Sequence, residues 1–109
     1  MADNGHTPVS VEGKRAVVIG GTSGIGRAIA LGFAADGAEA VVATSRTPER
    51  VEEAAAAVRE RGAESLELTC DVSDRESLAA LADGMVEAFG GVDVLVNSPS
   101  AIARRSVAD

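Results

Sequence analysis

The stretch Arg15-Ala16-Val17-Val18-Ile19-Gly20-Gly21-Thr22-Ser23-Gly24-Ile25-Gly26 decides the fold. After Arg15 its opening residues are apolar and largely β-branched, the pattern of a short strand buried on both faces. Glycines at 20, 24 and 26 follow with the spacing G-x-x-x-G-x-G. Gly24 opens a segment in which Ile25, Ile29 and Phe33 recur at i, i+4 and i+8. That spacing marks one face of a helix, and Gly37 stands where such a helix stops. A glycine turn between a buried strand and a helix has a chemical meaning. Gly20 permits a tight turn off the strand, Gly24 lets backbone come close to a pyrophosphate, and Gly26 lets the helix pack against the sheet. Free N–H groups at the helix start face the anion and the helix dipole favours it, while Thr22 and Ser23 can add hydroxyl donors.

The rest of the chain repeats the alternation. Ala40-Val41-Val42-Ala43-Thr44 is a second buried-strand run. Thr47-Pro48-Glu49 then signals a helix start, with Thr47 as cap, Pro48 in the first turn and Glu49 at the positive end of the dipole. This helix runs through the alanines 54–57 to near Gly62. Ser65-Leu66-Glu67-Leu68-Thr69 alternates as an edge strand would. Ser73-Asp74-Arg75-Glu76 reads as a capping box, and Leu78, Leu81, Met85 and Phe89 continue at helical spacing to Gly90-Gly91. Val92 to Val96 is a fourth strand. The order βαβαβαβ predicts an α/β fold, a parallel sheet with right-handed crossovers. Residues 1–12 read as a flexible leader and residues 13–109 as the domain; Ser98 to Asp109 carries no assignable pattern.

Composition narrows the function classes. The chain has 109 residues, 46% hydrophobic and 25% charged, the balance of one soluble globular domain. A formal charge of -7 argues against a broad electrostatic footprint on nucleic acid or an anionic membrane. One cysteine, Cys70, and one histidine, His6, leave no disulfide and no metal cluster. No signal peptide or membrane span is visible, and a soluble, reducing, cytoplasmic setting is the expectation. A nucleoside-triphosphate P-loop is excluded as well. It needs Gly-Lys-Ser/Thr at the end of the loop, and Gly26 is followed by Arg27-Ala28.

The glycine loop resembles that of the short-chain dehydrogenase/reductase family, whose usual pattern is T-G-x-x-x-G-x-G; Ile19 stands where the family has Thr. The resemblance covers about residues 13–97 and implies a Rossmann-like three-layer αβα fold with a parallel sheet, present here as an incomplete βαβαβαβ half. It implies a dinucleotide cofactor held by Gly20, Thr22, Ser23, Gly24, Ile25 and Gly26. At the end of the second strand a carboxylate binds a ribose hydroxyl, whereas an Arg accommodates a 2′-phosphate. This chain has Thr44-Ser45-Arg46 there and no acid, so Ser45 and Arg46 predict NADP over NAD. Thr44 or Ser45 occupies the discriminating place, depending on the register. Asp71 and Val72 match the family's Asp-Val that meets the adenine, although Asp71 beside Ser73 also reads as a turn residue. Asn97 matches the first residue of the family's N-N-A-G, which continues here as Ser98-Pro99-Ser100.

The family's Ser, Tyr and Lys catalytic set has no counterpart. The chain contains no Tyr, and its one Lys, Lys14, precedes the first strand. No catalytic residue and no metal ligand is assigned. The expectation is the NADP-binding N-terminal part of an oxidoreductase whose full-length relative moves hydride between NADP(H) and a carbonyl or alcohol, with this chain inactive by itself. A non-catalytic dinucleotide-binding or assembly module is the alternative. An S-adenosylmethionine methyltransferase fits poorly, because the second strand lacks its usual acid. The fourth strand would be an open sheet edge, a route to self-association, with a chain of marginal stability. No residue names a substrate.

Overall fold

The structure, a computed structural model, describes residues 10–98. Its elements are β1 (Arg15–Ile19), α1 (Gly24–Ala35), β2 (Ala40–Thr44), α2 (Pro48–Glu60), α3 (Arg75–Phe89) and β3 (Val94–Asn97). The three strands form one parallel sheet in the order β2-β1-β3. Ile19 is level with Thr44 on one side and Asn97 on the other, so the loops leaving all three strands share one rim.

Both faces of β1 and β2 are covered. Val18, Val41 and Ala43 pack with Ala30 and Ala34 of α1 and Ala54 and Val58 of α2. Val17, Ile19 and Val42 face the other way and meet Leu81 and Met85 of α3. The result is the three-layer αβα arrangement of a partial Rossmann-like fold. Val11, within the stretch read as a leader, is buried in the first of these clusters. Residues 1–9 of that stretch, together with Pro99, Ser100 and the rest of 99–109, lie outside the described residues.

The inner line of α1 is Gly26, Ala30 and Ala34, one residue on from the expected Ile25, Ile29 and Phe33. Small side chains let the helix axis approach the sheet, and Ile29 and Phe33 pack along its flank. Ile25 is 75% exposed.

The expected third strand is corrected. Residues 65–69 form no ladder, so the observed order is βαβααβ. The segment is fastened to β2 at its two ends. Val41 N–H donates to Glu64 O (2.9 Å), Glu64 N–H to Glu39 O (3.0 Å), and Cys70 N–H to Ser45 O (2.9 Å). Between them the Thr44 hydroxyl donates to Leu68 O, a side chain standing where a ladder amide would. Leu66 and Leu68 still turn toward the α3 cluster, so the alternation in the sequence reported sidedness and not backbone pairing.

Two helix starts also differ in detail. Asp74, not Ser73, is the N-cap of α3 and accepts from Glu76 N–H at 3.0 Å. Thr47 occupies the N-cap of α2 but its hydroxyl makes no cap bond. The last strand begins at Val94 instead of Val92 and pairs only with β1. Leu95, on the same face as Val17, is 64% exposed. Among the described residues no helix is long and apolar enough to cross a membrane.

Candidate functional site

The loop after β1 is built from backbone contacts that exclude side chains. Gly20 has φ +83°, the left-handed region that glycine enters without penalty. Its N–H and that of Gly21 both donate to Thr44 O, at 2.8 and 3.3 Å, so the loop is tied to the end of β2. A Cβ on Gly26 would lie 2.1 Å from Gly20 O, and one on Gly21 would lie 2.8 Å from Val18 O. Gly26 therefore lets the helix start fold directly against the loop. Gly21 carries a steric role that the spacing rule alone missed, although the doubled glycine at the strand end was its signal. Gly24 differs from both. Its φ is +57°, and nothing lies within 4 Å of the position of a Cβ.

The start of α1 is left unfilled by the protein. Ser23 is the N-cap with extended backbone, its side chain makes no cap hydrogen bond, and the first turn holds no acid. The first bond of the helix is Arg27 N–H to Ser23 O at 3.2 Å. The N–H groups of Gly24, Ile25 and Gly26 thus have no acceptor among the described residues, and the helix dipole adds partial positive charge there. An anion is the complementary ligand.

At the end of β2 the structure distinguishes two neighbouring hydroxyls. Thr44 is fully buried and holds Leu68 O, which leaves Ser45 as the accessible hydroxyl past the strand. The Thr22 hydroxyl, expected to face a ligand, donates instead to Ser45 Oγ at 3.0 Å. Arg46 follows on the surface. Asp71, next to the Cys70 amide that bonds Ser45, accepts from Ser73 Oγ (2.7 Å) and Ser73 N–H (3.0 Å). Those two bonds hold its carboxyl below the usual range, burial opposes them, and the charge of Arg46 lowers it a little further. Asp71 Oδ1 is thus a turn acceptor, and the Asp71 N–H donates to Ser77 Oγ at 2.9 Å. Val72 is exposed, as is Asn97 at the end of β3, where Ser98 N–H donates to Ile19 O at 2.7 Å. The glycine loop, Ser45 and the Cys70–Asp71 turn are joined directly; Asn97 completes the rim from the far side.

The family model for short chain dehydrogenase matches residues 14–109, a span that includes this strand, glycine turn and helix start. The chain belongs to the short chain dehydrogenase family. Ile19, at the family's Thr position, is buried in the α3-side cluster. An uncharacterized oxidoreductase of Mycobacterium tuberculosis is 39% identical over 101 residues, 90% of this chain and 29% of that protein. Hydroxysteroid dehydrogenase-like protein 2 of Xenopus laevis is 39% identical over 92 residues, 79% of this chain and 22% of its own length. Among solved structures, a hydroxysteroid dehydrogenase from Escherichia coli superposes with a TM-score of 0.75 at 33% identity, covering 81% of this chain and 37% of that one. The L-sorbose reductase of Gluconobacter frateurii, solved with NADPH and L-sorbose, gives 0.74 at 41% identity, covering 79% and 33%. The chain spans between 22% and 38% of the length of the curated relatives it matches.

Proposed function

We propose that this chain is the NADP-binding N-terminal portion of a short-chain dehydrogenase/reductase. The observation that carries the proposal is the α1 start, whose free amides and open Gly24 corner follow directly on Thr22, itself hydrogen-bonded to Ser45 at the end of β2. Gly20, Ser23, Gly24, Ile25 and Gly26 would hold the diphosphate. Thr22 acts on this corner through Ser45. Ser45 and Arg46 would hold a 2′-phosphate, since no carboxylate stands there to claim a ribose hydroxyl and to repel the anion. Asp71 and Val72 would meet the adenine, and Asn97 would border the ribose on the nicotinamide side. The solved reductase with NADPH, similar to this chain at 41% identity, supports the choice.

When bound, the dinucleotide supplies or accepts the hydride. The residues of this chain bind and orient it. The full-length relative would act between NADP(H) and a carbonyl or alcohol carbon. No Tyr stands in these 109 residues, so the family's tyrosine acid is not among them, and these residues alone would bind the cofactor without turning it over. Among the described residues β3 pairs with β1 alone, and its other edge would associate with a further polypeptide, a copy of this chain included.

Calorimetric titration with NADPH and NADH tests the reading. NADPH binds more tightly, and Arg46→Ala removes most of the difference, about tenfold for one charge-assisted contact. Tighter binding of NADH overturns the assignment. A second reading is a binding or assembly module without chemistry. Recovery of carbonyl reduction when the remainder of a family member is added in trans would count against it.

A further inference from the structure

Three bonds connect the glycine loop to the end of β2. Two are backbone bonds, from Gly20 and Gly21 N–H to Thr44 O. The third is the bond from the Thr22 hydroxyl to Ser45 Oγ, across 23 residues of chain. Thr22 is buried, and Ser45 is half-buried with its carbonyl pinned by Cys70 N–H. The backbone of Ser45 is therefore fixed already, and what Thr22 adds is a constraint on the hydroxyl.

A hydroxyl has one proton to donate and two lone pairs. Ser45 Oγ accepts from Thr22 and, at a long 3.4 Å, from Thr47 N–H. Both contacts occupy its lone pairs and leave its own proton unengaged. A hydroxyl that accepts a hydrogen bond is polarised into a better donor.

We propose that Thr22 is a positioning residue for cofactor selectivity: by donating to Ser45, it turns the Ser45 proton outward as a donor for the phosphate on the adenosine ribose. This rests on the NADP reading above. Thr22 acts through Ser45 and leaves the diphosphate to the backbone amides of the loop.

The selectivity ratio, affinity for NADPH over affinity for NADH, is the readout, because the two ligands differ only in the 2′-phosphate. Thr22→Val keeps the shape and removes the donor. It lowers the ratio about fivefold, the worth of one ordinary hydrogen bond. Thr22→Ser, which restores the hydroxyl, recovers the ratio. In a Ser45→Ala background, Thr22→Val changes the ratio no further. A loss of equal size for both ligands in Thr22→Val would overturn the proposal and make Thr22 a structural brace of the loop. So would additive effects of the two substitutions. If Thr22→Val fails to fold, Thr22→Ser against Ser45→Ala decides the matter: a ratio lowered by Ser45→Ala and kept by Thr22→Ser supports the relay, and a ratio lost in Thr22→Ser overturns it. A wild-type chain with no preference for NADPH removes the NADP reading itself, and the proposal with it; a wild-type preference that survives Thr22→Val removes the proposal alone.

Discussion

Arg15, at the start of the first strand, grips Asp93 just before the last. Its Nε lies 2.9 Å from Asp93 Oδ2 and its Nη2 lies 3.1 Å from Oδ1, a two-pronged contact. The backbones repeat the link, since Arg15 N–H donates to Oδ2 at 2.9 Å and Asp93 N–H donates to Arg15 O at 2.8 Å. Nη1 also reaches Phe89 O at 3.1 Å, which ties in the end of α3. One side chain thus sets where β3 begins, and this explains why pairing starts past Val92.

The clamp carries a pH signature. Hydrogen bonds from the Arg15 side chain, then from its backbone, hold the Asp93 carboxyl down to about 2. A carboxylate depressed in the folded state stabilises it above the ordinary carboxylate range, and that contribution fades as pH falls through about 2. Wild type and Asp93→Asn therefore differ in urea midpoint at pH 7. The gap narrows between pH 4 and pH 2, and a gap that stays constant across that range contradicts the clamp.

Two glycines of the loop are expected to respond differently to alanine. Gly26→Ala puts a methyl group 2.1 Å from a backbone carbonyl, so the helix start or the loop must move, at about 1–3 kcal/mol. Gly24→Ala meets no neighbour and suffers only its positive φ, about 1 kcal/mol. Thermal melts rank Gly26→Ala below Gly24→Ala, while Gly24→Ala still weakens dinucleotide binding because its methyl group fills the open corner.

Met85 is the largest fully buried side chain among the described residues and packs between α3 and the sheet. Met85→Ala costs about 2–5 kcal/mol. For a domain of this size that is a large share of total stability. Loss of the cooperative urea transition, or a midpoint far below that of wild type, is the expected result.

Leu95→Lys places a charge on one face of β3, the outermost strand among the described residues, where the side chain is already mostly in water. Stability changes little, and association through that edge falls. Sedimentation at rising protein concentration reads the outcome. The proposed association predicts that wild type gains mass where the variant stays monomeric.

Much of this was legible in the residues because apolar runs end in glycines at the right places. Arg15–Ile19 and Ala40–Thr44 are strands for the reason their sequences suggest, burial on both faces. The 65–69 segment was misread because alternation reports which side chains face inward, whereas a ladder depends on backbone amides finding carbonyls. The inner line of α1 was hidden because Ile25 is far more hydrophobic than Gly26, yet close approach rewards the smaller residue. Within the site, the glycine spacing announced itself, and the Thr22–Ser45 partnership did not. It exists only because the loop folds over the end of β2, a contact no local pattern encodes.

The span between Glu64 and Cys70 is a strap buckled to β2 at both ends, its Leu68 carbonyl held by the Thr44 hydroxyl while its inner amides find no acceptor among the described residues. Its inner amides meet deuterium early, while those of Val41 and Cys70, which serve as the buckles, exchange late. A protease that cuts after an acidic side chain finds Glu67 on this strap, exposed and without a ladder to hold it shut.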